Sequence, residues 1–196
     1  MTEETRFFET DIAVIGSGLA GCSASIFALN LGLTAAQAGN TGAIAYTTGY
    51  FDLLGYLSSD GQVLEDPWQG LAQLREEEPE HPLAQLSDDE INEAFKQVTS
   101  FISEAGIAYV TPDSLNHTAL TPAGTTKPTY AIPGTMLGGI TGFAKKLSCV
   151  IIDFKGLRGF SSREVVANIQ QQWPDIRAER VTFPEMESGE IYPEVM

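Results

Sequence analysis

The stretch that most constrains this chain is Asp11-Ile-Ala-Val-Ile-Gly-Ser-Gly-Leu-Ala-Gly21. Ile12 to Ile15 is continuously apolar, the pattern of a strand buried on both faces of a parallel sheet. It runs straight into Gly16-x-Gly18-x-x-Gly21 and a helical segment of mostly small residues. In that arrangement the first glycine makes a tight turn, the second lets the backbone approach a pyrophosphate, and the third packs helix against strand. Free N–H groups and the helix dipole favour an anion at the helix start. Gly32 is placed to end the helix, and Leu33 to Gln37 to form a second strand. Strand, helix and strand in about thirty residues make the dinucleotide-binding unit. The alternative is a tight βα turn with no ligand.

That fingerprint normally carries Asp or Glu at the end of the second strand, where it holds ribose hydroxyls. Gln37-Ala-Gly-Asn40 stands there instead, without a carboxylate. Gln37 or Asn40 is left as a neutral partner for a ribose; otherwise the adenosine half is held weakly, or the ligand has none.

A chain of 196 residues is long enough for one domain with a substantial core. A net charge of −15 argues against nucleic acid or an anionic membrane surface as the main partner. Acids crowd Asp60 to Glu93, read as a solvated helical surface. Bases gather between Lys127 and Arg163, where Lys127, Lys145, Lys146, Lys155 and Arg158 are candidates to face a phosphate or an acidic partner. Cys22 and Cys149 make no disulfide framework and are expected as buried thiols in a reducing compartment. Without a CxxC or His/Cys cluster no metal site is expected. The acidic N-terminus lacks a signal pattern, and no run of about eighteen apolar residues occurs. The expected location is cytoplasmic.

Further elements follow from spacing. Asp66-Pro67 reads as a helix start, broken at Pro79-Glu-His-Pro82. Ser87-Asp-Asp-Glu90 is a capping box before a helix whose apolar stripe, Phe95 and Phe101 included, is expected in the core. Ile107 to Val110 and Ser148 to Phe154 read as strands. Ser161-Ser-Arg-Glu164 opens a helix through Val165, Val166 and Ile169 toward Trp173. Thr111 to about Gly142 reads as long and irregular, a character often tied to function, with a hairpin or shaped loop at Thr121 to Thr129. The expected division is a dinucleotide-binding part over 1–115 and the start of an inserted or cap region over 116–196.

Four stretches together resemble a known family: Asp11 to Gly21; Thr47-Thr-Gly-Tyr-Phe-Asp-Leu-Leu54; Thr121-Pro-Ala-Gly-Thr with Lys127-Pro-Thr129; and Ala144-Lys-Lys-Leu-Ser-Cys-Val-Ile-Ile-Asp-Phe-Lys-Gly-Leu157. They are similar to the N-terminal part of the B subunit of anaerobic glycerol-3-phosphate dehydrogenases, within the flavoprotein group that includes fumarate reductases. The first stretch is shared widely; the other three are more specific. The resemblance implies an α/β, Rossmann-like FAD/NAD(P)-binding domain with a βαβ start, incomplete, followed by the beginning of a second α+β or cap domain. Family members are longer, and their later half returns to the nucleotide domain with a Gly-Asp turn; that dipeptide does not occur here. Relatives carry histidine where Ala45 stands, so no role of that imidazole transfers.

The resemblance further implies FAD, or FMN, as cofactor. The reaction it implies oxidises sn-glycerol 3-phosphate to dihydroxyacetone phosphate, with electrons passing through flavin and iron–sulfur centres to membrane quinone. Its implied partners are two other chains of the same complex, the catalytic flavoprotein chain and an iron–sulfur, membrane-associated chain. They would place this one at the inner face of the membrane without a span of its own. Candidate cofactor residues are Gly16, Ser17, Gly18, Leu19, Ala20 and Gly21, then Gly39 and Asn40, and the small-residue turn Thr47, Thr48 and Gly49. His81 and His117 read as surface histidines, and no residue is assigned as a catalytic base. The competing readings are a docking module that keeps the fold without the chemistry, and another fumarate-reductase-like flavin oxidoreductase.

Overall fold

Strand β1 (Ile12–Ile15), helix α1 (Leu19–Asn30) and strand β2 (Ala35–Ala38) open the chain in the computed structural model, which describes residues 7–42, 47–57 and 61–184. β1 and β2 pair in parallel, Ile12 opposite Ala35 through Ile15 opposite Ala38. The Asp11 carboxylate clamps the entry, accepting from the Thr34 N–H at 2.8 Å and its hydroxyl at 2.7 Å. Those bonds hold the Asp11 pKa below its ordinary value. α1 stops at Gly32, whose φ is +76°. Gly32 N–H donates to the Leu29 carbonyl and Leu33 N–H to that of Ala28, a left-handed stop that satisfies the last carbonyls. Leu33 and Thr34 are thus spent on the cap and the clamp, and β2 begins at Ala35 rather than at Leu33. Ile15, expected between two layers, is 95% exposed, because the face of this two-stranded sheet away from α1 is uncovered among the described residues.

The chain divides into two compact units, residues 1–50 with 71–110, and 51–70 with 111–196. Helix α2 (Pro67–Glu77) carries the backbone from the second into the first. Asp66 caps it, its Oδ1 accepting from Trp68 N–H at 2.9 Å and Gln69 N–H at 3.2 Å. His81 is structural: its Nδ1 accepts from the Leu83 N–H at 3.1 Å, starting the short turn Pro82–Gln85. Helix α3 (Asp88–Glu104) has the expected capping box on Ser87 and Glu90. Ile91 and Val98 are buried, but Phe101 is 55% exposed, because it lies outside the arc that those two define. Strand β3 (Tyr109–Val110) is shorter than expected. Ile107 N–H still bonds the Ile102 carbonyl, so it belongs to the helix end.

In the second unit, β4 (His117–Leu120) and β5 (Thr126–Thr129) form an antiparallel hairpin, followed by β6 (Ile132–Pro133) and α4 (Leu137–Lys145). The segment expected to be irregular is therefore ordered. Helix α4 is hidden in the sequence by Gly138, Gly139 and Gly142, poor helix formers. Gly142 is small for packing: a Cβ there would sit 3.3 Å from the Trp173 ring. Then come β7 (Cys149–Phe154), α5 (Ser162–Ile169) and β8 (Ile176–Val181), with β7 and β8 parallel. This is a second βαβ unit. Phe143, Ile169, Trp173 and Ile176 form its core, with the Trp173 Nε1–H donating to the Leu147 carbonyl at 2.7 Å. Both cysteines are half-buried rather than fully buried, and burial pushes the Cys149 thiol pKa up.

Candidate functional site

The glycines between β1 and α1 are required for three different reasons. Gly16 has φ +115°, a region L side chains rarely enter. A Cβ on Gly21 would lie 2.3 Å from the Gly16 carbonyl oxygen, an overlap with backbone. Gly18 has ordinary dihedrals, and a Cβ there would meet nothing within 4 Å among the described residues. Among the described residues, packing around Cβ therefore does not explain Gly18.

Gly18 is the N-cap of α1, no side chain caps that end, and no acid lies in the first turn. The helix start offers free N–H groups and the positive end of the dipole. Ser17 Oγ is buried there without a hydrogen-bond partner among the described residues, which costs about 1–3 kcal/mol unless a ligand supplies one. Leu19 and Ala20 lie exposed on the outer side of the first turn.

Of the other candidates, Gly39 is brought onto the turn: a Cβ there would come within 3.0 Å of Ser17 Oγ. Gly42, which the spacing of the motif does not single out, is closer still, with a Cβ 2.1 Å from the Ser17 carbonyl. Asn40 is exposed between them. Thr47 and Gly49 form a turn of their own, with Thr47 Oγ1 accepting from the Gly49 N–H at 3.3 Å. The Gly49 carbonyl accepts from the Tyr109 hydroxyl at 2.7 Å, and burial raises the Tyr109 pKa. Ala45 lies outside the described residues. Gln37 does not reach outward toward a ribose: its Nε2 donates to the Gly16 carbonyl at 2.8 Å.

Two candidates for anion contact are engaged within the second unit. Lys127 pairs with Asp52 at 2.5 Å, joining two of the stretches that carry the family resemblance. The Lys146 ammonium lies 3.6 Å from the Phe143 ring centroid. His117 Nε2 sits 3.0 Å from the Pro112 carbonyl.

The start of α5 is built the opposite way. Asp153, 1% exposed, accepts from the N–H and hydroxyl of Ser162, both at 3.0 Å. Arg180 on β8 holds the same carboxylate at 2.6 and 3.1 Å. The Arg180 hydrogen bond is the main cause that brings the Asp153 pKa down to about 2. Ser161 Oγ accepts from the Glu164 N–H. Sequence reasoning missed this cluster; its signal was a lone acid near the end of an apolar strand within a basic segment.

The sequence model of the FAD binding domain matches residues 11–191. The chain belongs to the FAD-binding domain family. Its similarity to curated proteins is consistent with that. It is 28% identical over 183 residues to the B subunit of anaerobic glycerol-3-phosphate dehydrogenase from Yersinia pestis, covering 90% of this chain and 42% of that protein. It is 30% identical over 165 residues to the protein of the same name from Vibrio cholerae, covering 83% of this chain and 37% of that one. The chain spans about two fifths of the length of these relatives. No solved structure matches it.

The family's cofactor is FAD, and the residues present fit its pyrophosphate: an uncapped helix start, the open space at Gly18 and the orphaned Ser17 hydroxyl. The family's α/β, Rossmann-like fold accords with the parallel β1–α1–β2 unit. The ribose carboxylate has no counterpart, since the residues from Gln37 to Asn40 are neutral. Among the described residues no helix is long and apolar enough to cross a membrane, and no group of three His, Cys, Asp or Glu is placed to hold a metal.

Proposed function

We propose that this chain is the FAD-binding part of one chain of a multi-chain oxidoreductase, and that it holds the cofactor's pyrophosphate at the start of α1. The observation that carries this reading is Gly18, where a Cβ would meet no described atom within 4 Å, at an uncapped helix start beside the Ser17 hydroxyl, which has no hydrogen-bond partner among the described residues. Ser17, Gly18, Leu19, Ala20 and Gly21 supply the N–H groups, with Gly16 setting the turn. Gly39 and Asn40 flank it, and Thr47, Thr48 and Gly49 form a second contact of small residues with the cofactor. Bound flavin supplies the electron transfer; the protein supplies binding and orientation.

The relatives' names support a role as the B subunit of an anaerobic glycerol-3-phosphate dehydrogenase. In that role the substrate is sn-glycerol 3-phosphate, the product dihydroxyacetone phosphate, and the electrons leave through the iron–sulfur chain of the same complex toward quinone. The catalytic flavoprotein chain and the iron–sulfur, membrane-associated chain are then its partners, at the inner face of the membrane. The division into a flavin-binding part over 1–115 and a cap region over 116–196 belongs to the same reading.

The visible absorbance spectrum of the purified chain, with any released cofactor identified by mass, tests the cofactor. Oxidised-flavin bands that FAD restores better than FMN are expected. A folded chain that takes up neither would overturn the reading. Bleaching of those bands by glycerol 3-phosphate in the assembled complex tests the substrate. A docking module without cofactor is the second reading, favoured by the bare apolar faces at Ile15 and Ile152; it predicts partner association unaffected by Gly18→Val.

A further inference from the structure

Gln37 occupies the strand that normally presents a ribose-binding acid, yet its amide faces back into the protein. The register sets it opposite Val14, and its contacts run to α1 and the glycine turn. A carbonyl oxygen only accepts, so the nitrogen of the amide must be the atom facing Gly16, at 2.8 Å. The same nitrogen lies 3.8 Å from Cys22 Sγ, and Cys22 Sγ lies 3.7 Å from the Ser17 carbonyl. The Ser25 hydroxyl sits between Gln37 Oε1 at 3.3 Å and the Gly21 carbonyl at 3.1 Å. One side chain thus ties the Gly16 carbonyl directly and the Ser17 carbonyl through a thiol.

The peptide unit is planar and trans, so a carbonyl and the next residue's N–H point in opposite directions. Holding the Gly16 and Ser17 carbonyls on the Gln37 and Cys22 side therefore turns the N–H groups of Ser17 and Gly18 the other way. Glycine at 16 makes such a restraint useful, because glycine leaves the turn many conformations.

We propose that Gln37, relayed through Cys22, is a positioning residue that aims the Ser17 and Gly18 N–H groups at the pyrophosphate. It serves the diphosphate where a carboxylate would have served the ribose. This rests on the FAD-binding reading for its use, but the restraint on the turn exists without ligand.

The test compares Gln37→Leu and Gln37→Glu with the native chain, by FAD fluorescence titration and by amide hydrogen exchange on ligand-free protein. Gln37→Leu keeps the volume and loses the donor; about tenfold weaker FAD binding is expected. Exchange should quicken at Gly16 and Cys22, whose N–H groups bond the Ala38 and Gly18 carbonyls, with the melting temperature little changed. Gln37→Glu adds a readout that a merely structural role would not move. Ionised, it only accepts and faces the Gly16 carbonyl lone pairs; protonated, it donates again. The groups facing it are the Gly16 carbonyl, the Cys22 thiol and the Ser25 hydroxyl. Its FAD affinity relative to the native chain should therefore recover as the pH falls from about 8 toward about 5.5, the carbonyl raising its pKa above the usual Glu range. Native-like FAD affinity and native-like exchange in Gln37→Leu would overturn the proposal. If the native chain binds no FAD, the proposed function falls, and the exchange result alone decides whether Gln37 holds the turn.

Discussion

The β1–α1–β2 and β7–α5–β8 units share one topology and finish their helix starts in opposite ways. At α1 the N-cap is Gly18, no acid lies in the first turn, and Ser17 Oγ is buried without a partner among the described residues. At α5 the chain supplies its own anion, the Asp153 carboxylate, which takes Ser162 N–H and is in turn held by Arg180. The helix dipole favours negative charge in both. Where the protein provides that charge, the unit is a self-contained piece of architecture. Where it withholds it, the helix start is left open to a ligand's charge, as the proposed function requires. A βαβ unit alone does not identify a cofactor site; how its helix start is finished separates these two units.

Substitutions that exchange these characters test the comparison. Asp153→Ala should cost the most, about 3 kcal/mol of stability by urea unfolding, since it leaves Arg180 and Ser162 without their partner. FAD affinity should not follow it beyond what unfolding explains. Gly18→Val is the converse. Its Cβ meets no described atom within 4 Å, so stability should shift by less than about 1 kcal/mol. FAD binding should weaken about a hundredfold or more, equivalent to ~2.7 kcal/mol. Equal losses of stability in both variants would erase the distinction.

Acid sharpens it further. The Asp153 pKa is about 2 in the folded chain against an ordinary value of 3.8. A depressed carboxylate stabilises fully above its unfolded pKa, and that stabilisation is lost as the pH falls toward the folded value. The contribution, about 2 kcal/mol, should therefore disappear between about pH 4 and about pH 2. The gap in stability between the native chain and Asp153→Asn, followed across that range, should close; a gap independent of pH would show that the carboxylate charge is irrelevant. The smallest effect is expected for Ser17→Ala. It removes an unsatisfied hydroxyl, so apo stability should hold or rise slightly, while FAD affinity falls about fivefold, ~1 kcal/mol. Calorimetric unfolding and FAD titration on the same sample separate the two.

Much of this was legible from the chain itself. The glycine spacing, the left-handed stop at Gly32, the Asp66 cap and the Ser87 capping box all depend on local residue chemistry, and the structure has each in place. What was hidden depends on contacts distant in sequence. Helix α4 reads as a loop because its glycines are bad for a helix in isolation, yet Gly142 is needed against Trp173. Gln37 reads as a neutral ribose partner because its place in the fingerprint suggests one; only the position of the Gly16 carbonyl shows that its amide is taken. Asp153 looks like a stray acid until Arg180, on the next strand, completes it. Phe101 shares the apolar spacing of its helix but falls just off the buried arc.

The central claim is that the first helix start receives the cofactor and the second does not. Amide hydrogen exchange with mass spectrometry, on the native chain with and without FAD, tests it most directly. The free N–H groups at residues 17–21 should slow on FAD binding, while those of Ser162 and Glu164, already bonded to Asp153 and Ser161, should not change. FAD bound with no slowing at 17–21, or with slowing confined to the start of α5, would contradict the account.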